Sequence, residues 1–300
     1  MTSKTVRTIM NYTLDNGRAP NFYFYKPDPS EKKNFNPAGT DAREVEVEDG
    51  WDLVETFDPD KQGFALKNFE GKFNAFDNEA QLKTVFYEQV ISFVKKNTGA
   101  KRVEVFDHTI RRRMSEDIEE QTEVRRPAVR LAHCDYTHES GPQRVRDLLP
   151  NEAEVLLQKR VAFYNVWKPL VSKVEELPLA VCDVSSNEPG DLLLMDLKYR
   201  DRDGEIYVLR HSTKHKWIYF PEMLSAHALL LKTYDSETDG RARFMAHSAL
   251  RTLILPKMPS PGRASKSGQW HSFESASWNL IFRVRREFLG NHKHFPFYSA

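Results

Sequence analysis

Short apolar runs separated by turn-forming residues fill the second half of the chain. Residues 161–167, 192–195, 205–209, 217–220 and 228–234 read as strands, with Glu188-Pro189-Gly190, Asp203-Gly204 and Asp239-Gly240 as turn signals. Many short strands at this spacing predict a two-sheet sandwich or jelly roll. Upstream, 62–66 and 103–106 carry the same strand signal. The stretch 11–49 is polar and rich in Pro, Gly and Asn around one aromatic knot, Phe22 to Tyr25, as expected of an extended arm.

One helix is predicted between these strands. Asp77 or Asn78 caps it, and Leu82, Val85, Phe86, Ile91, Phe93 and Val94 form its apolar stripe. Lys95, Lys96, Asn97 and Gly99 close it as the helix dipole and a left-handed cap favour. The stripe is expected against the outside of a sheet. A second helix is predicted over 152–160, capped by Asn151 after Pro150. No internal repeat is visible.

The run Arg130-Leu131-Ala132-His133-Cys134-Asp135-Tyr136-Thr137 reads as a strand, so Val129, Leu131, His133 and Asp135 share one face and Arg130, Ala132 and Cys134 the other. An imidazole and a carboxylate thus converge at the end of an apolar face. With a second His from elsewhere they would form a facial triad of the kind that holds Fe(II) with open positions. The bland alternative is a satisfied His beside a solvated Asp.

A third ligand has to come from far downstream, where His211, His215, His227, His247, His271, His292 and His294 are the candidates. His247 is the best placed. It ends the run 241–247, where alternation sets Arg241, Arg243, Met245 and His247 on one face. Two guanidinium groups beside an imidazole call for something anionic, since buried charge must be paired. A metal centre with an acidic co-substrate would supply it, and a surface salt-bridge ladder would do so equally well.

Composition narrows the partners. Lys plus Arg number 44 against 43 Asp plus Glu, a formal charge of +1 that gives no electrostatic reason to expect a nucleic-acid partner. Two cysteines, Cys134 and Cys182, are too few for a disulfide framework and suit a reducing compartment. Met1 to Thr13 carry no signal-peptide core and no apolar run is long enough to span a bilayer, so no membrane partner and a cytoplasmic setting are expected.

Several blocks occur in an order that resembles a known family. They are Thr98-Gly99-Ala100-Lys101-Arg102-Val103, Phe106-Asp107-His108-Thr109-Ile110-Arg111, His133-Cys134-Asp135, Asn165-Val166-Trp167-Lys168-Pro169-Leu170 and Pro178-Leu179-Ala180-Val181-Cys182-Asp183. They continue through His215-Lys216-Trp217-Ile218-Tyr219, Lys232-Thr233-Tyr234-Asp235-Ser236 and Asp239-Gly240-Arg241-Ala242-Arg243-Phe244. This series is similar to the CmcJ/NvfI-type non-haem iron oxygenases of fungal and bacterial natural-product pathways.

The resemblance implies a mainly β fold with flanking helices around a double-stranded β-helix (jelly roll, cupin-like). It implies His133, Asp135 and His247 as iron ligands and catalytic residues. Fe(II), 2-oxoglutarate and O2 would be used to oxidise a hydrophobic small molecule such as a terpenoid or meroterpenoid. A single domain over 1–300 is expected, with an arm and edge strands over 1–60, the jelly-roll core over 61–250, and an insertion and C-terminal strand over 251–300.

One departure stands out. Where the family carries an Arg to grip the far carboxylate of 2-oxoglutarate, the corresponding stretch Glu274-Ser275-Ala276-Ser277-Trp278-Asn279 has Asn279. A neutral amide cannot replace the charge-assisted guanidinium fork. Either Arg243, Arg241 or Arg283 takes over the grip, or the chain binds the co-substrate poorly. Tyr136 and Trp217 are candidate pocket walls, and Thr137 and Lys168 could orient substrate oxygens. The alternative reading is a catalytically weak partner subunit that stabilises an active homologue. A homo- or heterodimer is expected, with contacts through the arm and the insertion.

Overall fold

The computed structural model describes residues 4–111, 129–175, 177–250 and 279–287, the last segment through its backbone. In chain order the described strands begin with β1 (Thr5–Thr13), β2 (Asn21–Tyr23), β3 (Thr40–Asp49), β4 (Phe64–Asn68), β5 (Arg102–Arg111), β6 (His133–Cys134) and β7 (Val161–Pro169). They continue with β8 (Leu179–Cys182), β9 (Leu192–Lys198), β10 (Asp203–Leu209), β11 (Trp217–Tyr219), β12 (His227–Asp235), β13 (His247–Ala249) and β14 (Asn279–Glu287). They form a large mixed sheet, ordered β1-β3-β11-β8-β13-β6-β10-β9-β2, and a smaller one, ordered β4-β12-β7-β14-β5. The arm supplies both edges of the large sheet.

Between the sheets lies a core to which both contribute: Tyr12, Cys134, Cys182 and Trp217 from the large sheet meet Phe163 and Tyr234 from the small one. All nine residues of β7 are buried, because both of its faces are covered. Phe163 and Trp167 face the large sheet. Tyr164 and Val166 face a helix on the outside, which contributes Leu82, Phe86, Val90, Phe93 and Val94.

That outer helix matches its sequence signals. It runs as α1 (Glu79–Gln81), a π-helical turn Leu82–Phe86 and α2 (Tyr87–Thr98). The Asn78 side chain accepts the Gln81 N–H at its start, and Gly99 closes it with φ 68°. The double-stranded β-helix expected from the resemblance is the fold observed. Among the described residues no helix is long and apolar enough to cross a membrane.

Four expectations need correction. Only His133 and Cys134 of the 129–137 run form strand pairs, with one isolated bridge from Leu131 to Asn11, while β10 and β13 reach Ala132 and Val129 through single backbone bonds from Leu209 and Ala249. Asp203 and Gly204 lie within β10, and the chain reverses ahead of them, where Tyr199 N–H bonds to Arg202 O. The second helix is the short segment Ala153–Leu157, with Glu152 rather than Asn151 in the capping position. Residues 241–246 are not a strand: Arg241 and Arg243 are held by ion pairs and ring contacts instead of ladder bonds.

An unpredicted helix, α3 (Ser140–Leu148), follows the His-x-Asp stretch directly. Gly141 lets it sit on the small sheet, since a Cβ there would fall 2.4 Å from the Tyr234 ring.

Candidate metal centre

β13 pairs with β6 so that His247 lies directly across from His133, their rings 4.5 Å apart between centroids. Asp135, two residues beyond His133, joins them. Its Oδ1 is 3.7 Å from His133 Nε2 and its Oδ2 3.9 Å from His247 Nε2. One potential donor atom from each of the three residues lies within 4.8 Å of the others. All three are buried or nearly so.

Two neighbours orient the donors. His133 Nδ1 is 2.7 Å from the Leu131 carbonyl. A carbonyl only accepts, so Nδ1 carries the proton and Nε2 presents its lone pair to the triad. Across the core, Asn165 Nδ2 donates to Asp135 Oδ2 at 2.6 Å. Asn165 is a contact of the candidate site that its sequence position alone did not single out. Its signal was a lone amide in the apolar strand β7, which had to find a polar partner.

Leu131, His133, Asp135 and Tyr136 open onto a cavity of about 760 Å³ between α3 and the β9–β10 hairpin, with Phe22 and Phe24 of the arm on its wall. That volume is in the range of small-molecule sites. Tyr136, stacked on Phe163 at 4.8 Å, lines this cavity.

Other predicted site residues go elsewhere. Thr137 is spent on the entry to α3, accepting the Glu139 and Ser140 N–H groups and bonding Glu205. Trp217 is core, donating its indole N–H to Tyr12 Oη at 2.7 Å. Lys168 lies on the helix side of β7, its ammonium on the Ser225 carbonyl and 4.9 Å from the Phe69 ring centroid. Burial pushes that amine down to about 8.

Arg241 is paired with Asp239 and Asp60, and Arg243 bonds the Asp235 carbonyl and His138, so neither guanidinium reaches the cavity wall. The salt-bridge alternative accounts for Arg241. Along the backbone of β14, Arg283 pairs in register with Asn165, and Asn279 with Pro169. His271, His292, His294 and the insertion over about 251–269 lie outside the described residues.

Residues 10–265 match the family described as "Oxidoreductase/YMDC permease-like domain". The chain belongs to this oxidoreductase family. The hydroxylase/desaturase efuI of Hormonema carpetanum is 33% identical over 274 residues, covering 83% of this chain and 89% of the relative. The Fe(II)/2-oxoglutarate-dependent dioxygenase nvfI of Aspergillus novofumigatus is 30% identical over 249 residues, covering 80% and 86%. The solved structure of the iron and alpha-ketoglutarate-dependent endoperoxidase NvfI shares the fold, with TM-score 0.77 at 22% identity over 96% of this chain and 99% of that one. None of these relatives is named as an inactive partner subunit.

Proposed function

We propose that the protein is an Fe(II)/2-oxoglutarate-dependent oxygenase that hydroxylates, desaturates or rearranges an apolar, terpenoid-like small molecule. The observation that carries this reading is the convergence of His133, Asp135 and His247 beside a cavity. Two imidazoles and one carboxylate are the donor set suited to ferrous iron with open positions. The fit is supported by His133, whose ring is already fixed with Nε2 toward the other two donors. When bound, Fe(II) with 2-oxoglutarate and O2 supplies the oxidising power to take hydrogen from an unactivated carbon, with succinate and CO2 as by-products.

The chain's own part is to hold and enclose. Asn165 keeps the Asp135 carboxylate from turning, and Tyr136, Leu131, Phe22 and Phe24 offer apolar surface to the substrate beside the triad. Arg283 is our candidate for the far carboxylate of 2-oxoglutarate, because its register partner Asn165 contacts Asp135 while Arg241 and Arg243 are occupied. Arg283→Gln is expected to raise the 2-oxoglutarate KM by about tenfold or more, as for a charged hydrogen bond of roughly 1.5–3 kcal/mol. An unchanged KM removes Arg283 from the role.

Anaerobic Fe(II) titration tests the reading. One equivalent is expected to bind, 2-oxoglutarate to add a visible charge-transfer band, and air to release succinate. His133→Ala is expected to lose all three while keeping its thermal melt cooperative. Iron binding with neither band nor succinate would instead favour the partner-subunit alternative. The buried free thiols Cys134 and Cys182 support a cytoplasmic setting. A homo- or heterodimer belongs to the same proposal, and sedimentation equilibrium decides it.

A further inference from the structure

The cavity beside the triad has an unequal charge inventory. Two of its four lining Lys and Arg side chains are ion-paired: Lys198 bonds Asp203 at 2.9 Å, and Arg146 bonds Glu154 at 2.7 Å. Arg202 is exposed, its guanidinium 4.3 Å from the Tyr199 ring centroid. Arg144 differs from all of these. It is half-buried on the cavity side of α3, and among the described residues no carboxylate lies within ion-pair distance of it. Among the described residues its guanidinium faces a ring, with the guanidinium carbon 5.2 Å from the Phe106 centroid.

The fold builds that seat. The register of β5 against β14 slips at Phe106, since Arg283 pairs with Asp107 and Val284 with Val105. The extra residue re-aims, as bulges near sites do, and Phe106 packs into the core edge-on to Phe163 at 5.8 Å. Phe163 in turn carries Tyr136, which adjoins Asp135. Arg144 therefore sits over the first ring of an aromatic series, Phe106, Phe163 and Tyr136, that leads back to the triad. A half-buried guanidinium without a counter-charge has lost part of its hydration, and a carboxylate is the partner its fork fits.

We propose that Arg144 is a specificity-determining residue that anchors a carboxylate on an otherwise apolar substrate, making the preferred substrate class an apolar carboxylic acid. The proposal rests on the reading of the cavity as the oxygenase substrate site. The other source of the same chemistry is the far carboxylate of 2-oxoglutarate, and the test separates the two.

The full chain is titrated with cis-parinaric acid and with its methyl ester, following their fluorescence, in the absence of metal and again with Mn(II) and saturating 2-oxoglutarate. The acid is expected to bind at least about tenfold tighter than the ester, as for a charge-assisted hydrogen-bonded pair. Arg144→Gln is expected to erase that preference and leave the ester within about twofold of its original affinity. Arg144→Lys, with charge but no fork, should fall between. Calorimetry should find 2-oxoglutarate binding to the Mn(II) protein unchanged in Arg144→Gln.

Three results overturn the proposal: an acid affinity indifferent to Arg144→Gln, an ester weakened as much as the acid, or a loss of 2-oxoglutarate binding in the variant. Failure of the oxygenase reading looks different. Metal binding and succinate release would then be absent from the unsubstituted chain, whatever the acid preference.

Discussion

Asn165 reaches from the small sheet to a carboxylate on the large one, so a single amide fixes the orientation of a proposed ligand. Outer partners of this kind are worth about 10–100-fold in metal affinity. Asn165→Ala is expected to weaken Fe(II) or Mn(II) binding by that factor while leaving 2-oxoglutarate's relative contribution intact, and a competition titration with a chromophoric chelator reads it. The His-x-Asp pair was legible because residues two apart share a face even where, as here, only His133 and Cys134 form ladder pairs. Asn165 was not, because its reason lies across the core, 30 positions along the chain. Thr137, Trp217 and Lys168 misled for the opposite reason: their polar atoms are satisfied locally or in the core, which composition and spacing do not reveal.

At the scale of the element, β7 shows what two-sided burial does to a charged residue. Lys168 has to point to one face or the other, and it points to the helix side, where burial lowers its amine to about 8. An unfolded lysine titrates near 10.4. Between those values the unfolded chain binds more protons than the folded one, so stability rises as pH goes from about 8 to about 10.4 and is lowest below that window. Lys168→Met keeps the volume and removes the titration. It is expected to raise the urea midpoint at pH 7 and to abolish the alkaline rise, as followed by circular dichroism across that range.

The outer helix was legible in full because its cap, stripe and stop are all local. The 241–246 segment was not, since the Asp60 and Asp239 carboxylates and the Asp235 carbonyl bind the two arginines there in place of a neighbouring strand.

Across the whole molecule, a buried ion cluster ties the approach to β4 to the end of β12. Lys232 and Asp235 have fully buried side chains 2.9 Å apart, Arg160 Nη2 lies 2.6 Å from Asp235, and Asp60 meets both Arg160 and Lys232. Asp235→Asn leaves two cations short of a counter-charge and is expected to cost about 3–5 kcal/mol of stability by denaturant melts. Burial alone would raise the Asp60 carboxyl, but Lys232 and Arg160 hold it below the ordinary value. A depressed carboxylate stabilises the fold above the ordinary carboxylate pKa of about 4, and that share is lost as pH falls through the folded value. The acid limb of the melt curve should therefore be shallower once the cluster is broken.

The two-sheet class itself was readable from turn spacing. The strand order was not, because β13 draws its neighbours β6 and β8 from more than sixty positions away.

The cross-strand pairing of His247 with His133 carries a mechanical corollary. β13 spans three residues and touches β6 at that one position. An ion bound there would act as a rivet between β6 and β13, which meet each other at that one pair, although β13 is laddered along its length to β8. Losing the ion and letting that corner breathe become a single event, so a chelator would speed amide exchange at 247–249 well before it disturbed the outer helix.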